Sequence, residues 1–200
     1  MAHHQTAYGF RRTALAFAVL ASVVAFAVGT SPQATAAPTN CDRGTNLSFE
    51  TPAISGSWTT TAAPGWDATD TIEIWRDPFG PGAVDGQQIT ELKANDGTPL
   101  WQDIATLGGD RLAWSFSHRG RSGTDTVDVL IGSTTSQTTE GTYSDGTSAW
   151  VRHGDTYTVP AAQTTTRFVL DPQGGGSVGN LVDHVLFELT CEISIGTSVG

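Results

Sequence analysis

Glu73 and Glu91 are carboxylates set inside short apolar runs, IEIW (72–75) and ITEL (89–92). Trp75, Trp101 and Gln102 stand in the same kind of setting. Carboxylates and an amide can hold hydroxyl groups by hydrogen bonds, and an indole offers a flat apolar face to the C–H side of a sugar ring. Two carboxylates can also serve as acid and base on opposite sides of a glycosidic bond, at a separation that chain spacing does not give. The plain alternative is a solvated strand face with no chemistry.

A second group is SHRGRSGTD (117–125), which concentrates His118, Arg119 and Arg121 in a chain of only ten Lys and Arg residues. Gly120 and Gly123 mark a turn or bulge there. In its plainer reading the turn is a clasp, with Arg121 forking onto Asp125 or a neighbouring carboxylate. In its functional reading His118 and Arg119 stand at the rim of a binding face and donate hydrogen bonds to a glycan. Nucleophilic catalysis finds little support, because Ser115 and Ser117 lie on a strand without a nucleophile elbow. His153 and His184 show no metal-ligand spacing with His118.

The elements that must position these groups are short strands. LAWSFSH (112–118) sets Leu112, Trp114, Phe116 and His118 against Ala113, Ser115 and Ser117. TVDVLIG (126–132), TTRFVL (165–170) and LVDHVLFEL (181–189) alternate likewise, and further strands are expected at 46–50, 71–75, 87–92, 100–105 and 155–159. Helical periodicity is absent beyond residue 40, and turn residues separate the runs, so the expected class is an all-β antiparallel sandwich. The alternation sends Ile72 and Ile74 inward and Glu73 and Trp75 outward. It opposes Trp101 to Leu100 and Ile104, and Glu91 to Leu92. Of the six tryptophans, Trp114 reads as core and Trp66 as packed under a loop, leaving Trp75 and Trp101 as binding candidates. Asp183 shares a phase with Val185 and Phe187 and is expected to point inward.

Residues 1–36 read as a secretory leader. Arg11-Arg12 precede the apolar run 13–29, and Ala34-Thr35-Ala36 supplies a small-residue cleavage motif. The expected mature chain, 37–200, is one domain. All twenty acidic residues but only eight of the ten basic ones lie beyond residue 36, which leaves a net charge of −12. Such a surface repels nucleic acid and anionic membrane. Cys41 and Cys191 are the only cysteines, and an even count in an exported domain favours a disulfide over two free thiols.

NLSFETP (46–52), APGW (63–66), IEIW (72–75), DGQQITEL (85–92), WQDI (101–104) and LVDHVLF (181–187) follow one another in an order that resembles secreted galactose-binding-like jelly rolls, notably plant cell-wall proteins of that fold and their bacterial counterparts. The resemblance spans 44–190. Its departures are Leu47 where that pattern has glycine, and Asp183-His184-Val185 where it has two aspartates. It implies a jelly roll like that of carbohydrate-binding modules. It also implies a structural calcium (Ca2+) between the first and last strands, held by Glu50 and Asp183 with backbone carbonyls near Asn46. The function it implies is a secreted, extracellular, non-catalytic module whose partner is a polysaccharide or cell-wall glycan. Glu73, Trp75, Glu91, Trp101, Gln102, His118 and Arg119 are the candidate binding residues. A structural or adhesive protein without a sugar site is the alternative, and a glycoside hydrolase is the third reading.

Overall fold

A computed structural model describes residues 44–76, 82–92, 97–174 and 176–190. The regular structure in them is entirely β, and no helix among them is long and apolar enough to cross a membrane. The strands are β1 (Trp58–Thr61), β2 (Asp67–Ala68), β3 (Ile72–Trp75), β4 (Ile89–Glu91), β5 (Leu100–Ala105), β6 (Arg111–Arg119), β7 (Asp125–Ser133), β8 (Ser136–Asp145), β9 (Val151–Thr158), β10 (Thr165–Gln173) and β11 (Leu181–Leu189). They form a six-stranded sheet in the order β1-β3-β4-β11-β6-β9 and a five-stranded sheet in the order β2-β5-β10-β7-β8. All pairings are antiparallel.

The alternation sorts each strand onto two faces. Leu112, Trp114 and Phe116 of β6 and Phe187 of β11 meet Val127, Val129 and Ile131 of β7 and Phe168 and Leu170 of β10 in one buried core. Phe168 and Phe187 stack across it, 5.1 Å between ring centres. Burying such side chains contributes about 1.5–3 kcal/mol each. Trp114 and Trp66 are both buried in this core, as expected.

Residues 46–50 form no strand, contrary to expectation. They run beside β11 all the same, with Gly44 N donating to Phe187 O at 2.7 Å and Val185 N to Leu47 O at 2.8 Å. Asn46 and Phe49 adopt positive φ (53° and 57°), which breaks the extended conformation a ladder needs. Cys41, Cys191 and the expected leader, 1–36, lie outside the described residues.

A bulge corrects the reading of Asp183. The β6–β11 register shifts between Asp183 and Leu186, where His184 has a φ of 48°. The extra residue reverses the phase. Val182 and Val185 both enter the core, while Asp183 pairs with Ser117 on the outer face, fully buried.

Candidate functional site

The seven candidate binding residues part into three places. Glu73, Trp75, Glu91 and Arg119 lie on the outer face of the six-stranded sheet, where Glu73 is the register partner of Glu91 and Trp75 that of Ile89. The alternation therefore holds, but outward is not exposed: Glu73 (7 %), Trp75 (8 %), Glu91 (1 %) and Arg119 (2 %) are all buried. Trp58 stacks on Trp75 at 5.5 Å, and the Arg121 guanidinium covers the same ring at 4.7 Å. Arg119 lies 5.1 Å from the Trp150 ring, whose indole nitrogen donates to Gly82 O at 2.7 Å. Arg121 Nη1 donates to Glu91 Oε2 at 2.7 Å, and Gly179 N donates to Glu91 Oε1 at 2.7 Å. Burial holds the Glu73 carboxyl above its ordinary range, with Glu91 adding to the rise and Arg121 opposing it. This face is a clasp. Asp125 takes the Arg121 backbone N–H at 2.9 Å, and the Arg121 side chain reaches across to β4. A ring covered by Trp58 and Arg121 and a carboxylate already engaged leave no opening here for a sugar, which removes Trp75 and the Glu73–Glu91 pair from the candidate site.

Gln102 and His118 face the interior, because each shares the phase of core neighbours: Leu100 and Ile104 for Gln102, Trp114 and Phe116 for His118. Gln102 ties down the start of the domain, accepting from Thr45 N at 2.8 Å and donating to Thr45 O at 2.6 Å. His118 is fully buried. Its Nδ1 lies 2.7 Å from Asp145 Oδ2 and its Nε2 lies 2.9 Å from Asn180 Oδ1. Asp145 Oδ2 also meets His153 Nε2 at 2.7 Å. Burial holds the His118 ring below the usual imidazole range, against the pull of its hydrogen bonds to Asp145 and Asn180. So His118 and Arg119 do not stand at a rim. His153, read from spacing as unrelated, is brought to His118 by the β6–β9 pairing. Asp145 arrives from the end of β8, in the other sheet, and no local pattern announces that meeting.

Trp101 alone lies at an open groove. It occupies the outer face of the five-stranded sheet, where β5, β7, β8 and β10 together with Thr69 and Pro99 bound a cavity of about 310 Å³. Trp101, Val169 and Leu130 give it apolar surface, and Arg167, Asp171, Gln137 and Thr69 border it with polar groups. Trp101 pairs with Val169, and Arg167 pairs with Asp103 one row away. Arg167 grips Asp103 with two parallel bonds of 2.8 Å and lies 5.0 Å from the Trp101 ring centre. That fork fixes the guanidinium over one face of the indole. Burial, reinforced by Asp128, raises the Asp171 carboxyl above its ordinary range. Arg167, Asp171 and Gln137 escaped the sequence reading. The alternation TTRFVLDP (165–172) places Arg167, Val169 and Asp171 on one side, and that signal was there to be followed.

The groups expected to hold calcium make a different structure. Glu50 Oε1 accepts from Gln87 N and Gln88 N, both at 2.7 Å. Asp183 Oδ2 accepts from Val84 N at 2.6 Å and Asp85 N at 2.9 Å, and Oδ1 from His184 N at 2.6 Å. Asn46 closes a local ring with Thr51, donating to Thr51 O at 2.7 Å and accepting from Thr51 N at 3.0 Å. N–H groups thus present their positive ends to the carboxylate oxygens a cation would use. This is the capping of loop 84–88 by the half-buried Glu50 and the fully buried Asp183, and the three carboxylate oxygens so engaged are taken by N–H donors rather than left open to a calcium ion.

No protein-family model matches the chain, and no curated protein matches it. Solved structures do. A cyclase from Fischerella sp. TAU, in complex with 4-(1H-indol-3-yl)butan-2-one, is 15% identical with a TM-score of 0.55, over 76% of this chain and 98% of that one. The C-terminal family 22 carbohydrate-binding module of Clostridium thermocellum Xyn10B is 12% identical with a TM-score of 0.50, over 64% of this chain and 87% of that one. The CBM22-1 xylan-binding domain of Paenibacillus barcinonensis Xyn10C is 12% identical with a TM-score of 0.47, over 72% of this chain and 91% of that one. Two antiparallel sheets packed on one core, with the first described residues laid beside the last strand, make this chain a jelly-roll β-sandwich.

Proposed function

We propose that the protein is a secreted, non-catalytic module that binds a polysaccharide in the groove beside Trp101. The observation that carries this reading is the composition of the groove. It has an apolar surface of Trp101, Val169 and Leu130, bordered by a guanidinium, a carboxylate, an amide and a hydroxyl from Arg167, Asp171, Gln137 and Thr69. A glycan presents the complementary pair, apolar C–H faces and a ring of hydroxyls. The fold likeness to a carbohydrate-binding module supports the same reading. The groove's open side would admit an internal stretch of a chain as well as its end. A buried carboxylate pair able to flank a scissile bond is not part of this groove, so binding rather than hydrolysis is the reading.

The test is calorimetric titration with soluble xylan, mixed-linkage glucan, galactomannan and pectin. We expect saturable binding to at least one of them. Trp101→Ala should weaken it about 5- to 30-fold, because one stacked ring is worth roughly 1–2 kcal/mol. It should leave the melting temperature nearly unchanged, since Trp101 is only partly buried. Absence of binding across the panel, or full binding by Trp101→Ala, would overturn the proposal and favour a structural or adhesive protein. Release of reducing sugar by the wild type would overturn its non-catalytic part.

A further inference from the structure

His118, Asp145 and His153 form a cluster that the sugar groove does not use. Their three ligand-type atoms, His118 Nδ1, Asp145 Oδ2 and His153 Nε2, all lie within 4.8 Å of one another. Three strands bring them together: β6 and β9 of one sheet and β8 of the other. Tyr143 stacks on His153 at 4.1 Å, and Phe116 lies 5.6 Å from it, so the ring is held on aromatic surfaces.

The proton arrangement is what makes the cluster more than a clasp. Asn180 Oδ1 faces His118 Nε2 at 2.9 Å, and with the amide in that orientation Nε2 is the donor. The lone pair of Nδ1 then points at Asp145 Oδ2, 2.7 Å away, and two acceptors cannot share that contact without a positive centre between them. A second proton would create an imidazolium in a fully buried ring. A divalent cation resolves the contact as well, and it uses the arrangement metal sites favour, in which a ligating imidazole donates its other N–H to a carbonyl oxygen. Asn180 Nδ2 is buried without a hydrogen-bond partner, so Oδ1 toward His118 is the amide's one side-chain hydrogen bond among the described residues.

We propose that His118, Asp145 and His153 bind a zinc-type divalent cation, with Asn180 orienting His118. Two imidazoles and one carboxylate suit zinc, at about 2.0–2.2 Å from each atom. Ligand atoms of a tetrahedral site at those lengths lie about 3.3 Å apart, so the two contacts of 2.7 Å to Asp145 need open by only some tenths of an ångström. His153 retains 16% exposure and Asp145 9%, which gives a path inward and room for water as a fourth ligand. Binding displaces the proton on the His153 Nε2–Asp145 contact. The cation would join the two sheets at this end of the sandwich. No catalysis is implied.

The experiment uses the full chain, stripped with chelator and titrated with Zn2+ alone. We expect one tight equivalent and, at zinc a hundredfold above Kd, a rise in Tm of about 5–10 °C. Co2+ in place of zinc should give visible absorption of a four- or five-coordinate ion. His153→Gln, at the partly exposed position, should fold, lose the cobalt bands and weaken zinc binding at least a hundredfold. Asn180→Gly suits the φ of 55° at that position and should weaken binding about 10- to 100-fold while keeping the bands. No saturable binding, or zinc affinity unchanged in His153→Gln, would overturn the site. So would ¹⁵N spectra of the zinc-treated protein showing a proton on His118 Nδ1, because that proton marks a metal-free clasp with the Asn180 amide turned over.

Discussion

Trp75 and Trp101 look alike in local pattern, each an indole on a short strand opposite apolar neighbours, yet they carry different duties. Trp75 has Trp58 stacked on it and Arg121 over it, and it packs with Ile89 and Leu181 in a small second core. Trp75→Ala should therefore lower unfolding stability by about 3–5 kcal/mol, read from urea denaturation, while leaving polysaccharide binding at Trp101 intact. Binding lost with stability unchanged would refute that assignment. A guanidinium lies over each ring, Arg121 on Trp75 and Arg167 on Trp101; what separates the two residues is Trp58, which stacks on Trp75 from elsewhere in the chain and helps bury it. Gln102 and His118 carry the opposite lesson. Their phase with Leu100 and Ile104, and with Trp114 and Phe116, marks them as interior residues, and the strict alternation of their strands carries that signal.

At the scale of elements, the β6–β7 connection is a structural device. Arg121 leaves that turn and closes on Glu91 of β4, whose side chain is fully buried, while Asp125 holds the turn's backbone. Removing the guanidinium strands a buried carboxylate. Arg121→Ala should cost about 3 kcal/mol in a denaturant titration. The double change Arg121→Met with Glu91→Leu should recover much of that, since an apolar pair removes the unpaired charge along with the bridge. No recovery would show that the bridge geometry itself holds the strands. β8 is the element the pattern concealed. SQTTEGTYSD (136–145) is a sheet-edge strand with most of its residues exposed, so no apolar alternation marks it. β1 and β2, of four and two residues, are too short to show a period. The bulge at His184 is likewise silent in sequence, and it turned Asp183 from the inner to the outer face.

Across the whole molecule, acid titration reports how the loop 84–88 is held. Desolvation raises Asp183 to about 6, against the three backbone N–H groups that favour its charged form. An acid whose folded pKa exceeds its unfolded one of about 3.9 binds more protons in the fold between those values, so stability rises as pH falls through 6. Relative to Asp183→Asn, the wild type should gain about 1 kcal/mol on acidification from pH 7.5 to pH 5, measured by urea midpoints at both pH values. An unchanged difference would mean Asp183 stays ionised throughout, as a bound cation would require. Taken alone, the sequence determined the fold class, most strand positions and which side of each strand enters the core. Those follow from side-chain period and turn chemistry, which are local. Tertiary structure alone decided which outward face is open and which is sealed, and that Asp145 meets two histidines between the sheets. Those outcomes depend on loops and strands distant in the chain arriving over the same few ångströms, and no local period records such arrivals.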